Sequence, residues 1–198
     1  MSGTTGGNLY ELPNGVLRNK LGITDGALLA QAEASFTLIR LGELANQPIV
    51  GNFDLAHLQT IHRYLFQDVY DWAGEIRLVD IQKGSSYFAH YSYIISQATA
   101  LFTQLATESH LRGLPPDAFA RRAAYYLGEI NVLHPFREGN GRTQRVFFSD
   151  LARQSGYSLD WTQISAQHMI NASVLSLMRN DNSGFEQIFL AIIAPIHP

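Results

Sequence analysis

The chain has 198 residues, 46% of them apolar, no cysteine and a formal charge of −3. That length suits one domain with a core and not two, and the composition excludes a disordered chain, disulfides and thiolate metal sites. The acidic balance argues against a nucleic-acid partner, and no 18-residue apolar run or signal-peptide pattern is present, so neither a membrane span nor a leader is expected and the cytoplasm is the expected location.

Residues 1–22 carry Gly, Asn and Pro with little periodicity and read as an irregular lead-in; residues 23–198 read as a single domain. Thr24 is placed to cap a first helix. Leu28, Ala32, Phe36 and Ile39 fall on one of its faces, and Leu38, Leu41 and Ala45 on another, which predicts burial on two sides. Asp54 caps a second helix with Leu55, Leu58, Ile61, Leu65 and Val69 in register, ending near Gly74. His57 and His62 lie five apart, the wrong spacing for a shared metal, and read as structural or solvated.

Ile76-Arg77-Leu78-Val79-Asp80-Ile81 alternates as a strand does, Gln82 to Ser86 offers a turn, and Tyr87-Phe88-Ala89 returns. The alternatives are a plain connection between helices or a hairpin whose edge pairs with an extended peptide. Ser92 caps a third helix. Pro116 suits the first position of a fourth, which runs to His134 and stops because Pro135 disfavours the helical conformation before it. A fifth helix starts near Gly141. Thr162 caps a sixth, with Ala166, Ile170, Val174 and Leu177 facing in, and Ser183 to Glu186 forms a capping box for a seventh over residues 185–193.

Residues 134–145 concentrate the chemistry. Three of the 14 Lys and Arg residues fall between Arg137 and Arg145. Gly139 and Gly141 let the backbone approach a phosphate, and Asn140 offers an amide donor. A helix N-terminus follows and favours an anion. Arg142 and Arg145, three apart, point the same way and suit successive phosphates. Glu138 offers an oxygen ligand to Mg2+ bridging phosphates. His134 is the nearby group that takes a proton near neutral pH. Together they describe a phosphate-site transfer to an activated hydroxyl; the plainer alternative is a helix-capping turn with solvated arginines. There is no P-loop pattern, and a zinc site lacks ligands.

The stretch from His134 to Arg145 resembles the signature of the Fic family, HPFx[DE]GNGRxxR, at every fixed position. Asp71-Trp72-Ala73-Gly74 and Ile76-Arg77 are also similar to Fic domains, and the resemblance covers roughly residues 20–190. It implies an all-α Fic fold, a compact bundle of about seven helices with one β-hairpin, the flap. It implies transfer of AMP from the co-substrate ATP to a Ser, Thr or Tyr hydroxyl of a target protein, with release of pyrophosphate. His134 is then the base, Phe136 anchors the loop, and Glu138 holds Mg2+. Gly139, Asn140 and Gly141 form the anion hole, and Arg142 and Arg145 bind the β- and γ-phosphates. The ATP-binding stretch includes Arg137, with Lys83, Gly84 and the helix after Trp161 as adenine-pocket candidates. The flap residues Ile81, Lys83 and Phe88 dock the target by strand addition.

Many Fic domains are restrained by a helix carrying [S/T]xxxE[G/N], whose glutamate pairs with the second motif arginine, Arg145 here. No glutamate of this chain has Ser or Thr four residues before it. The residues near Arg112-Gly113-Leu114 resemble the small stand-alone members. The resemblance therefore implies a bacterial toxin whose partner is a small antitoxin supplying that helix, with type II topoisomerases, DNA gyrase and topoisomerase IV, among the group's targets. Two rivals remain: transfer of another phosphate-containing group, and a non-enzymatic nucleotide- or peptide-binding module.

Overall fold

The computed structural model describes residues 9–83 and 86–196. Among these residues seven helices dominate: α1 Gly26–Asn46, α2 Leu55–Phe66, α3 Ile94–Thr107, α4 Pro116–Leu133, α5 Asn140–Gln154, α6 Ala166–Arg179 and α7 Ser183–Ile192. One small antiparallel sheet pairs β1 Gln82–Lys83 with β2 Ser86–Tyr87, and a second pairs β3 Tyr157–Leu159 with β4 Ile193–Pro195.

The core is built around α4 and α5. α4 packs on α3, α5, α6 and α7 and buries most of its length from Phe119 to Leu133, leaving one stripe through Arg122, Tyr125 and Glu129 toward solvent. Gly128 makes this possible, because a Cβ there would meet Asn182 Oδ1 at 2.1 Å. α5 carries two adjacent buried rings that meet edge-on at 5.6 Å and reach different neighbours. Phe147 packs on Phe53 and on Phe102 of α3, and Phe148 on Phe189 of α7, each with centroids 5.6–5.7 Å apart. Burying one such side chain contributes about 1.5–3 kcal/mol. These pairs tie α5 rigidly to both flanks of the molecule.

The all-α expectation holds, with local corrections. α1 is capped by Asp25, not Thr24. Its buried stripe is Leu29, Glu33, Thr37 and Leu44, while Leu28, Phe36, Leu38 and Ile39 are exposed. α2 stops at Phe66, and Gly74, at φ +85°, closes a later turn. The strand expected over residues 76–81 is not one: pairing begins at Gln82, and the backbone N of Arg77 donates to Pro135 O instead of to a strand. A short 3-10 turn, Tyr91–Tyr93, precedes α3, and His90 rather than Ser92 caps it. Ser165 caps α6. The capping box does not form at α7, where Asp181 accepts from Ser183 N at 2.9 Å. The second sheet was not expected; it joins residues 36 apart that short strand signals do not mark.

Residues 9–22 pack on the rest of the molecule, with an isolated bridge between Glu11 and Leu17. Tyr10 is buried, its hydroxyl accepts from Leu78 N at 3.1 Å, and its ring meets Trp72 edge-on at 5.6 Å.

Candidate active site

α4 ends at His134, which adopts a left-handed conformation, φ 44° and ψ 62°. Pro135 disfavours the right-handed alternative, and a non-glycine residue in this region costs strain that its surroundings must offset. Arg77 supplies the support. It is fully buried, and its Nε donates to His134 O at 2.8 Å. Nη2 donates to Leu133 O at 3.1 Å and Ala89 O at 2.5 Å, and Nη1 to Val79 O at 2.6 Å. Its backbone N donates to Pro135 O at 2.9 Å. A cation at the carbonyl end of a helix is favourable. Arg77 thus joins the end of α4 to both arms of the hairpin region. Burial pushes its pKa down, yet an arginine stays charged.

The loop after His134 is closed from within. Asn140 Oδ1 accepts from Phe136 N at 2.9 Å, and its Nδ2 donates to Phe136 O at 2.8 Å. The amide expected to reach a phosphate is therefore spent on the loop, and the side chain is buried. Phe136 stacks on His62 with centroids 3.9 Å apart. His62 Nδ1 accepts from Gly74 N at 2.7 Å, so Nε2 carries the proton and donates to Glu138 O at 3.0 Å. Burial, foremost, pushes the His62 pKa to about 3 and keeps it neutral. Gly139 is at φ +82°, and a Cβ there would meet Phe66 Cζ at 2.3 Å. The loop thus delivers α5 with the backbone N–H groups of its first turn unpaired within the helix.

His134 itself is 7% exposed. Its ring stacks on Phe88 at 3.8 Å, and Nδ1 sits 3.4 Å from Asn131 O. That carbonyl selects the Nδ1–H tautomer, leaving the Nε2 lone pair as the acceptor. Burial, then the charges of Lys83 and Arg77, push its pKa to about 3.

A cavity of about 250 Å3 opens against this histidine. His134, Gly141, Gln144 and Arg145 form its polar wall, with Lys83 at the hairpin. Met169, Ile170, Val174 and Leu177 of α6, with Leu127, form an apolar wall. This explains why Ile170 and Val174 are half-exposed although the helical pattern predicted them to face the core. They line a cavity instead. Burial, then Arg142, push the Arg145 pKa down.

The structure thus brings His134, Gly141, Arg145, Lys83 and Phe88 to one cavity. Phe136, Gly139 and Asn140 brace the loop beneath it. Arg137 pairs outward with Glu11 at 2.5 Å, and Arg142 pairs with Glu33 at 2.5 Å. Glu138 Oε1 accepts from Gly139 N at 2.9 Å and lies 3.8 Å from Arg142. Ile81 O accepts from Phe88 N at 3.5 Å across the hairpin. Gly84 lies outside the described residues. Sequence reasoning gave no role to Gln144 or Glu33, and took Arg77 and His62 as part of a strand and a bland helix. Arg77 and His62 do leave a signal: each occupies an inward position of an apolar pattern.

The model of the Fic/DOC family matches residues 52–152, which include the loop after His134 and the helices α4 and α5 on either side of it. The chain belongs to the Fic/DOC family. Protein adenylyltransferase VbhT of Bartonella schoenbuchensis is 52% identical over 168 residues, covering 85% of this chain, which spans 35% of that relative's length. The "Probable protein adenylyltransferase Fic" of Salmonella typhimurium is 42% identical over 179 residues, 90% of this chain and 88% of the relative. The N-terminal Fic domain of a VirB-translocated Bep effector from Bartonella quintana, solved with ADP, superposes with a TM-score of 0.90 at 31% identity, covering 96% of each chain. BepC from Bartonella tribocorum, solved with AMPPNP, gives 0.90 at 26% identity over 96% of this chain and 99% of that one. The Fic fold expected from residues 134–145 is the fold observed.

Proposed function

We infer that this Fic-family nucleotidyltransferase moves AMP from ATP to a Ser, Thr or Tyr hydroxyl of a target protein. The observation that carries this is that the free Nε2 face of His134, the α5 N-terminus and Arg145 share one cavity with an apolar wall. The target oxygen attacks the α-phosphorus and its proton passes to His134 Nε2. The bond to the bridging oxygen breaks, and pyrophosphate leaves with the electron pair. Fixed N–H donors and Arg145 oppose the charge that develops. The remaining carboxylate oxygen of Glu138 fits Mg2+, which takes one or two carboxylates plus substrate phosphates. Among the described residues no group of three His, Cys, Asp or Glu side chains could hold a metal by itself, so phosphate oxygens would have to complete the Mg2+ shell. When bound, Mg2+ would supply charge neutralisation at the phosphates.

Two finer readings belong to the same proposal. The target segment adds as a strand to the edge of the β1–β2 hairpin, whose Lys83 and Phe88 touch the cavity. A small antitoxin provides the glutamate for Arg145, and the resemblance points to type II topoisomerases in the bacterial cytoplasm as the targets. Among the described ion pairs, Arg145 has no carboxylate, which leaves that place open to a partner's.

The test is transfer of label to a lysate protein from ATP. Label from the α-phosphate is expected, lost in His134→Ala; label from the γ-phosphate only would overturn AMP transfer. Arg145→Ala should weaken nucleotide binding by about 1.5–3 kcal/mol, the scale of a charged hydrogen bond.

A further inference from the structure

Gln144 has no part in the reaction as derived so far, yet its setting is unusual. It lines the nucleotide cavity and is 7% exposed, and its Nε2 is buried with no hydrogen-bond partner. A buried donor left unpaired is costly, and native proteins keep few of them. Of its neighbours on α5, Thr143 Oγ1 donates to Gly139 O at 3.1 Å, Phe147 and Phe148 are core, and Arg145 turns its charged donors to the cavity. Gln144 is the residue of that turn whose amide donor is buried and unpaired.

Its place along the helix says what it would meet. Gly141 and Gln144 both line the cavity and are one turn apart, a rise of about 4.5 Å. Gly141 marks the phosphate end, at the α5 N-terminus with His134 and Arg145 beside it. The α6 side chains Met169, Ile170 and Val174 mark the apolar end that suits a base. In a nucleotide, the sugar lies between the α-phosphate and the base. We propose that Gln144 reads the sugar of the bound nucleotide, its Nε2 donating to a ribose hydroxyl oxygen.

This rests on the nucleotide reading above and makes Gln144 a specificity-determining residue, distinct from the phosphate and proton chemistry. The site would then prefer ribonucleotides, and the donor lost by truncation would matter only where the hydroxyl is present.

The test is calorimetric titration of the whole chain, without target, with ATP, 2′-deoxy-ATP and 3′-deoxy-ATP. The wild type should bind one deoxy analogue about five- to tenfold more weakly than ATP, the scale of one neutral hydrogen bond. Gln144→Met, similar in length but without an N–H donor, should bind ATP and that analogue equally. Equal wild-type affinity for all three nucleotides overturns the proposal, and this arm does not depend on the variants folding. Discrimination retained in a folded variant overturns it too. Failure of the wild type to bind ATP at all would instead remove the nucleotide reading itself.

Discussion

Arg142 Nη2 lies 2.5 Å from Glu33 Oε1, so the first motif arginine is already paired inside the chain. Thr37 Oγ1 accepts from its Nη1 at 3.3 Å, and its guanidinium lies 4.7 Å from the Phe66 ring centroid. Glu33 also accepts from the Tyr70 hydroxyl, whose pKa is pushed up by burial and by Glu33. The two motif arginines therefore differ. Arg142 is held to α1 by Glu33 and Thr37, whereas Arg145 faces the cavity.

Glu33→Ala should leave both Arg142 and the Tyr70 hydroxyl without their acceptor. Removing the shared acceptor of this partly buried pair costs on the order of 3 kcal/mol, the upper end for hydrogen bonds to a charged group. For a domain of this size that corresponds to a fall in Tm of about 6–12 °C. Thermal unfolding followed by circular dichroism checks it. A change of less than about 2 °C would mean that the pair contributes nothing to the fold.

Arg77→Lys separates position from charge. Lysine keeps the cation but lacks the planar fork, so it reaches one or two of the four carbonyls. His134 then loses the support of its left-handed backbone. A misplacement of about 1 Å in such a site costs on the order of 10²-fold in rate. Expected is a fall of that size in kcat, with the pH dependence of the remaining activity unchanged and ATP affinity shifted far less. A matching loss of ATP affinity would show that Arg77 shapes the nucleotide site and not the base.

Asn140→Ala tests whether the motif asparagine is a brace or a phosphate ligand. The side chain satisfies both polar backbone groups of Phe136. Removing it leaves two buried groups unpaired at about 1–3 kcal/mol each. Asn140→Asp keeps the acceptor for Phe136 N and loses the donor, so it should fall between wild type and alanine in stability. Denaturant titration of the nucleotide-free protein ranks the three; an order in which alanine matches wild type would return Asn140 to a purely ligand-binding role.

The site was legible where its residues are consecutive. His134 to Arg145 carry a loop and a helix start in one window, and Pro135 marks the end of α4. What the sequence hid was contact across the chain. Glu33 drew no reading from the pattern of α1, yet it meets an arginine 109 positions away. The exposed Leu28, Phe36 and Ile39 read as core because periodicity reports which residues share a face, not whether that face is covered. Ile170 and Val174 were misjudged for a related reason. A ligand cavity is lined by the same apolar residues as a core.

The two histidines held neutral give the protein a pH dependence with a definite sign. His62 and His134 have pKa values of about 3 in the fold, against about 6.5 in an unfolded chain. Between those values the unfolded state binds more protons than the folded state, so stability rises with pH and falls as pH drops from 6.5 toward 3. Each histidine contributes up to about 1.4 kcal/mol per pH unit in that window. His62→Gln can still accept from Gly74 N and donate to Glu138 O, so it should reduce the slope of stability against pH between 6 and 4 by one proton's worth. An unchanged slope would mean that His62 protonates in place. Activity should follow the same logic at His134. The sequence placed at His134 a group that takes a proton near neutral pH, but a base kept neutral by burial and by Lys83 and Arg77 should have its acid limb in kcat/KM for ATP displaced below pH 6. Bound triphosphate adds negative charge beside the ring and favours its protonated form, so the limb in kcat should lie at higher pH than the limb in kcat/KM. Coincident limbs near pH 6.5 would show that His134 titrates as a solvated histidine does.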